Sequence, residues 1–444
     1  MVQPHMIEPA YLQRMADGTI KQVNPFTGTR VWTVSGRADR PLTDPARPPG
    51  AIPPEQRGRA CAFCPERYLE TPPEKSRLVR RDGRWQRLDW LPAGQLFDSV
   101  AEFRVVPNLF EILSYDYWHD NYEYALPEAV AAIRQAYLSD AAGLRHVVEV
   151  QQRKMRAAGW SEAELAALSQ DQLVAQATGF FGGGHDVVIA RRHWLDQASD
   201  DSQLAGSGDL TPDEHRAYIG LTIDSAQRLY ETNRYVRYVA VFQNWLKAAG
   251  ASFDHLHKQL VAVDEHGTNV DLTLGRLRDN PNLFNEAGVN YASYHNLLIA
   301  ENEAAVAYAG FGHRYPTIEV YSKSAEPLPW RQHPAEVDRM SDLIHALHAA
   351  TGSQVPCNEE WHHQPPDLDL RMPWRVNLKW RVSTVAGFEG GTKLYINTIS
   401  PQRLRDLVVP RLFELREQGR VADLRVAMEC SGAPNPLRYN PNLV

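Results

Sequence analysis

The run Ser252-Phe253-Asp254-His255-Leu256-His257-Lys258-Gln259-Leu260-Val261-Ala262-Val263 sets two imidazoles and an amide at alternate positions of an otherwise apolar stretch. Read as a strand from Ser252 to Val263, its side chains alternate between faces. His255, His257 and Gln259 then project one way, and Leu256, Lys258 and Leu260 the other. An imidazole whose Nδ1 proton is held by a backbone carbonyl presents its Nε2 lone pair for in-line attack on phosphorus. The Gln259 amide can donate to a phosphoryl oxygen but cannot activate water as a base, which favours transfer over hydrolysis. Taken alone, His-x-His on a half-buried strand fits structural histidines equally well, so the surrounding chain has to decide. Just upstream, Gly250 permits close backbone approach and Ser252 offers a hydroxyl to a bound phosphate.

Working outward, Phe103 to Leu113 reads as a strand that ends at Pro107 with Asn108 in the turn. Apolar residues at helical spacing between Ala125 and Ala177 predict two or three helices, with Ser161 and Glu164 as a capping box. After Gly182 to Gly184 a strand starts at His185. Thr211 to Asn233 is an amphipathic helix opened by Thr211-Pro212. Strands are predicted at Tyr235 to Gln243, Tyr294 to Tyr308, Thr317 to Tyr321 and Val376 to Val385, with a helix from Pro334 to Ala350. Two halves of similar element order, 1–265 and 266–444, follow from this reading, without a sequence repeat to prove duplication.

The 444 residues carry 43% hydrophobic side chains, enough for a globular core, and a net charge of −7 without clustered Lys and Arg. That balance argues against a nucleic-acid partner, because neutralising a phosphate backbone needs a basic surface. No apolar run approaches the roughly 18 residues of a membrane span, and Met1 to Ala10 lacks the layout of a signal peptide, so no membrane partner and a cytoplasmic location are expected. Four cysteines stand at 61, 64, 357 and 430 and are expected to be reduced. Two cysteines at the spacing of Cys61 and Cys64 can form half of a tetrahedral metal site or stand as a reduced pair in a turn.

The stretch FQNWLKAAGASFDHLHKQ, with Asn244, Gly250, Ser252, His255, His257 and Gln259, resembles the active-site strand of galactose-1-phosphate uridylyltransferases in the histidine-triad superfamily. Asp254 and Leu256 replace the prolines common there, and neither position bears a catalytic side chain. Further matches are NPFTGTRVWTVSGRADRP, CAFC, FRVVPNLFEIL and VVIARRH, with a weaker one in RVSTVAGFEGGTKLYIN. The resemblance thus touches residues 24–41, 61–64, 104–110, 187–193 and 242–259, and less strongly 383–397.

The resemblance implies an α+β fold of duplicated histidine-triad-like halves, an antiparallel sheet flanked by helices, with a helical insertion near 114–178. It implies a double displacement in which His257 takes a nucleoside monophosphate, UMP in the parent family, from a nucleotide sugar and passes it to a sugar 1-phosphate. Gln259 and Ser252 would stabilise phosphoryl oxygens. Arg37, Arg40 and Asn108 would hold phosphates, with Asn244 and Gly250 beside them and Phe110 against the base. Glu389, supported by Asn397, would read the sugar, and a homodimer is implied.

A structural zinc would be held by Cys61, Cys64, His255 and His193, with His185 as the alternative to His193. The family's second metal site is expected to be missing, since Pro373-Trp374-Arg375 stands where other members carry His-x-His, and His362 and His363 read as ordinary polar residues. Leu109 and the altered second half keep a dinucleoside polyphosphate or nucleotide-sugar phosphorylase open. A non-catalytic nucleotide-binding homologue is the rival from another class. A hydrolase is disfavoured because Gln259 stands where hydrolytic members use a third histidine.

Overall fold

The computed structural model describes residues 11–34 and 48–443. They fall into two compact units. The first comprises described residues 11–34, 248–250 and 267–443, and the second 48–247 and 251–266. Strands β1 (Leu12–Arg14), β2 (Ile20–Val23) and β3 (Arg30–Thr33) open the chain and belong to the first unit.

In the second unit, β4 (Ser76–Arg81), β5 (Arg84–Asp89) and β6 (Phe103–Pro107) are followed by β7 (His185–Ala190), β8 (Tyr238–Trp245) and β9 (His257–Val263). They lie in the order β5-β4-β6-β7-β9-β8, antiparallel throughout. The helices between β6 and β7 are α1 (Tyr115–Tyr122), α2 (Glu128–Ser139), α3 (Ala141–Ala157), α4 (Glu162–Ala166), α5 (Gln170–Gln176) and α6 (Gly179–Gly182). Between Ala125 and Ala177, where two or three helices are expected, there are four, α2 to α5. Breaks at Asp140, Ser161 and Ser169 each cap the next helix through a side-chain oxygen, and Ser161 and Glu164 make the expected capping box.

Helix α7 (Pro212–Thr232) connects β7 to β8 and packs on the sheet. Thr211 and Glu214 cap its start reciprocally, and Pro212 costs nothing at a position whose amide has no helical partner. Its apolar face buries Tyr218, Ile219, Leu221, Ile223 and Leu229, each worth about 1.5–3 kcal/mol when fully removed from water.

The first unit continues with α8 (Thr268–Asp279), α9 (Tyr291–Tyr294), β10 (Leu298–Glu301), β11 (Ala305–Ala309), β12 (Thr317–Ser322) and α10 (Pro334–Thr351). Then come β13 (Cys357–His362), β14 (Arg375–Trp380), α11 (Gly387–Thr392), β15 (Leu394–Asn397), α12 (Pro401–Glu417) and β16 (Arg425–Val426). Its main sheet runs β16-β10-β11-β12-β14-β13, and β3 pairs in parallel with β15 in a small sheet ordered β1-β2-β3-β15. That pairing groups the opening strands with the later part of the chain. In both units a strand leads into a long helix, and the second strand after the helix inserts beside the strand before it. β9 sits next to β7, and β14 next to β12.

The structure revises several expected strands. The strand expected from Ser252 begins at His257, because Leu246 and Gly250, at φ 68° and 90°, turn the chain back and leave Ser252 to Asp254 exposed. The strand expected over Tyr294 to Tyr308 is the end of α9 followed by two strands. They are separated by a turn in which the Asn302 side chain accepts from the amides of Ala304 and Ala305. Tyr235 to Gln243 is displaced to Tyr238–Trp245, and Val376 to Val385 stops at Trp380. No helix among the described residues is long and apolar enough to cross a membrane.

One buried carboxyl ties the insertion to the sheet. Glu111 lies against Gly179 and Gly183, and a Cβ on Gly183 would come within 2.0 Å of its Oε1. Burial raises Glu111 to about 7, although Lys154 and Lys75 pull it down. The folded chain therefore keeps a proton that the unfolded chain loses above the ordinary value of 4.5. Stability should fall as pH rises from that value to about 7, and Glu111→Gln should flatten this part of the profile in denaturant titrations.

Candidate active site and metal centre

The site is built on the second unit's sheet, where β9, β7 and β6 lie side by side. Register pairs His257 with Ile189, Gln259 with Val187 and Val261 with His185. These six side chains therefore share one face, with Val106 from β6. The other face turns Lys258 and Leu260 inward toward α7. There the Lys258 ammonium lies 4.9 Å from the Tyr218 ring centre, and its Nζ donates to Gln243 at 3.1 Å.

Cys61 and Cys64 precede and begin a short helical turn at Pro65–Glu70. The Arg104 guanidinium on β6 reaches the carbonyls of Ala62 and Phe63 between them, at 3.5 and 3.4 Å. The cysteines face His193, three residues past β7, and His255, two before β9. Cys61 Sγ is 3.8 Å from Cys64 Sγ, 3.5 Å from His193 Nδ1 and 3.4 Å from His255 Nδ1. Cys64 Sγ is 3.6 and 3.8 Å from the same two nitrogens. A tetrahedron with metal–sulfur bonds of about 2.3 Å and metal–nitrogen bonds of about 2.0 Å has edges of about 3.5–3.8 Å, so the four donors suit a metal ion without rearrangement.

The outer contacts agree. His255 Nε2 lies 2.7 Å from the Ala190 carbonyl, which places its proton there and leaves Nδ1 as the donor. The contact between the two thiols lowers Cys64 well below the ordinary thiol range, and the same contact, with burial, raises Cys61. His193 joins this cluster and His185 does not.

His257 is buried, and its Nδ1 lies 2.7 Å from the His255 carbonyl. The ring is thereby fixed with Nε2 as its free nitrogen, and burial lowers its pKa to about 4. Phe63, from the loop between the cysteines, packs edge-on against it with ring centres 5.1 Å apart. Phe63 was missed in the sequence, where an aromatic between two cysteines carries no signal of its own.

His185 has a different task from the one considered for it. The Ile112 amide donates to its Nδ1 at 3.3 Å, so the proton sits on Nε2, 3.1 Å from Gln259 Oε1. Asn108 Nδ2 lies 3.0 Å from His185 Nε2 and reaches the same Gln259 oxygen at 3.4 Å, while Asn108 Oδ1 accepts from the Phe110 amide. With its carbonyl oxygen engaged by two donors, Gln259 turns its NH2 group to the remaining direction as a donor. Burial lowers His185 to about 4, keeping it neutral. Alternation along the sequence could have revealed it, since His185 opens a strand that pairs with the one bearing Gln259.

Of the other candidates, Asn244 lies two residues beyond Phe242, the register partner of Gln259, and so on the same face. Ser252 is exposed on the turn before His255, and Phe110 is 55% exposed. Glu389 and Asn397 belong to the first unit. Glu389 Oε2 accepts from the Ala386 amide and caps α11, and Asn397 donates to the His313 carbonyl at 3.0 Å. Arg37 and Arg40 lie outside the described residues.

Among the described residues, antiparallel sheets flanked by helices carry His-x-His-x-Gln into a central strand beside a Cys-x-x-Cys loop. Residues 15–439 match the model of a family described as a domain of unknown function, DUF4921, and the chain belongs to that family. It is similar to the ADP-glucose phosphorylase of Arabidopsis thaliana, 26% identical over 234 residues that cover 50% of this chain and 62% of that protein. The match thus spans less than two thirds of the relative's length.

Among solved structures, the ADP-glucose phosphorylase of Arabidopsis thaliana with bound ADP-glucose superposes with a TM-score of 0.56 at 21% identity, covering 88% of this chain and 98% of that one. A GalT-like protein from Arabidopsis thaliana gives 0.54 at 20% identity, covering 87% and 97%. These two likenesses establish the fold.

Metal analysis of the purified chain should find one equivalent per chain. Cys64→Ser or His193→Ala should lose it and lower the melting temperature, whereas His185→Ala should retain it.

Proposed function

We propose that this chain transfers a nucleoside monophosphate by double displacement through His257. In the first step His257 Nε2 forms a bond to the α-phosphorus of a nucleotide sugar. The bond from that phosphorus to the bridging oxygen breaks, and the sugar leaves as its 1-phosphate. In the second step an oxygen of an acceptor phosphate, a sugar 1-phosphate or inorganic phosphate, attacks the same phosphorus and expels His257. A new diphosphate results, and phosphate is conserved in both steps.

The observation that carries this reading is the pair of fixed side chains on β9. His257 is held by the His255 carbonyl with Nε2 free, and two donors orient Gln259 to offer its NH2 group. A neutral nucleophile beside an amide donor suits a phosphoryl group in flight, and Gln259 offers no base for water. Asn108 and Asn244 are the further polar groups of this face, and the ion we propose for the Cys2His2 centre is zinc. Closed by four protein ligands, it would hold His255, and through it the carbonyl that fixes His257, and leave no position for substrate.

The parent family implies a uridylyl group, whereas the relatives described as ADP-glucose phosphorylase favour an adenylyl group with inorganic phosphate as acceptor. Intact-mass analysis after incubation with ADP-glucose or UDP-glucose, without acceptor, distinguishes them. One nucleoside monophosphate adduct should form, its mass naming the base, and His257→Gly should abolish it. Absence of an adduct with every nucleotide sugar tried would refute the reading. Gln259→Ala should slow adduct formation by roughly 10²–10³-fold with metal content intact.

A further inference from the structure

The first unit holds a cavity of about 450 Å³ that the His257 chemistry does not use. Its floor is β14, whose alternation puts Arg375, Asn377 and Lys379 on one face and Val376, Leu378 and Trp380 on the other. Trp380 Nε1 donates to Thr351 of α10, so the apolar face turns to the helix and the nitrogen-rich face to the cavity. Arg314 and Arg381 add two further fixed charges to the lining. Against these four cations stand Glu360, paired with Lys379, and Glu319, 3.8 Å from Arg375.

An excess of positive charge is costly to keep in a partly enclosed space, and here the cost is compounded. Arg375 is 5% exposed, lies over the rings of Phe26 and Phe284, and its Nε has no hydrogen-bond partner among the described residues. Arg381 Nε and Asn377 Oδ1 are likewise buried without partners. Unpaired buried polar groups are costly. Two of these three atoms are donors on guanidinium groups and one is an acceptor. A ligand matched to this cationic, amide-bearing lining carries an anionic group together with hydroxyls.

We propose that this cavity binds a phosphorylated polyhydroxyl molecule, a sugar phosphate, with the phosphate against Arg314, Lys379 and Arg381 and hydroxyls on Asn377 and Glu360. The volume falls within the usual range for small-ligand sites. One face of the ring of Tyr315, the aromatic lining residue, is already covered by Arg381 at 4.5 Å. The cavity is lined solely by first-unit residues, and the inference is independent of the reading at His257.

Titration calorimetry of the full chain with glucose 6-phosphate, inorganic phosphate and glucose separates the contributions. Glucose 6-phosphate should bind more tightly than inorganic phosphate, and glucose not measurably. The double variant Arg314→Gln/Lys379→Gln should weaken glucose 6-phosphate by about tenfold or more, as expected for losing charged hydrogen bonds. Arg381→Met should do the same, with thermal melts confirming that each variant is folded. His257→Gly should bind it like the wild type. Unchanged affinity in folded cavity variants, loss of binding in His257→Gly, or no binding of glucose 6-phosphate to the wild type would each overturn the proposal.

Discussion

The hydrogen bond between His257 Nδ1 and the carbonyl of His255, two residues earlier on the same strand, is the contact on which the site depends. An imidazole has two nitrogens and one proton when neutral, so fixing the proton on one releases the lone pair of the other. The bond is only as rigid as the backbone at His255. That backbone is held twice over: the His255 ring joins the Cys61, Cys64 and His193 cluster through Nδ1, and its Nε2 meets the Ala190 carbonyl at the end of β7. The Cys2His2 cluster and the proposed nucleophile His257 are therefore mechanically connected through one residue.

A second layer orients the amide. Gln259 can present either its oxygen or its nitrogen, and the choice is made by His185 from β7 and Asn108 just past β6. The tautomer of His185 is in turn set by the Ile112 amide in the segment leading to the helical insertion. His257 and Gln259 on β9 thus each take their orientation from a neighbouring residue.

Much of this was legible in the sequence, because alternation along a strand is a strict geometric rule and His255-x-His257-x-Gln259 obeys it. Cys61, Cys64 and His255 announce a metal site by residue type, and the structure places His193 with them. The tasks of His185, Phe63 and Arg104 were not legible, since each depends on which strands become neighbours. Strand ends were misplaced where local turns decide them, at Gly250 before His255 and at Asn302 between β10 and β11. The cationic face of β14 could be read only as the lack of metal ligands at Arg375, because the cavity in front of it is a property of the packed unit.

The central claim is a covalent intermediate, and the configuration at phosphorus tests it most directly. An ADP-glucose or UDP-glucose bearing sulfur in place of one α-phosphoryl oxygen, of known chirality, can be turned over with an acceptor phosphate and the product analysed. Two in-line displacements at one phosphorus, the first by His257 and the second by the acceptor, predict overall retention. Inversion would show a single direct displacement and would contradict the account.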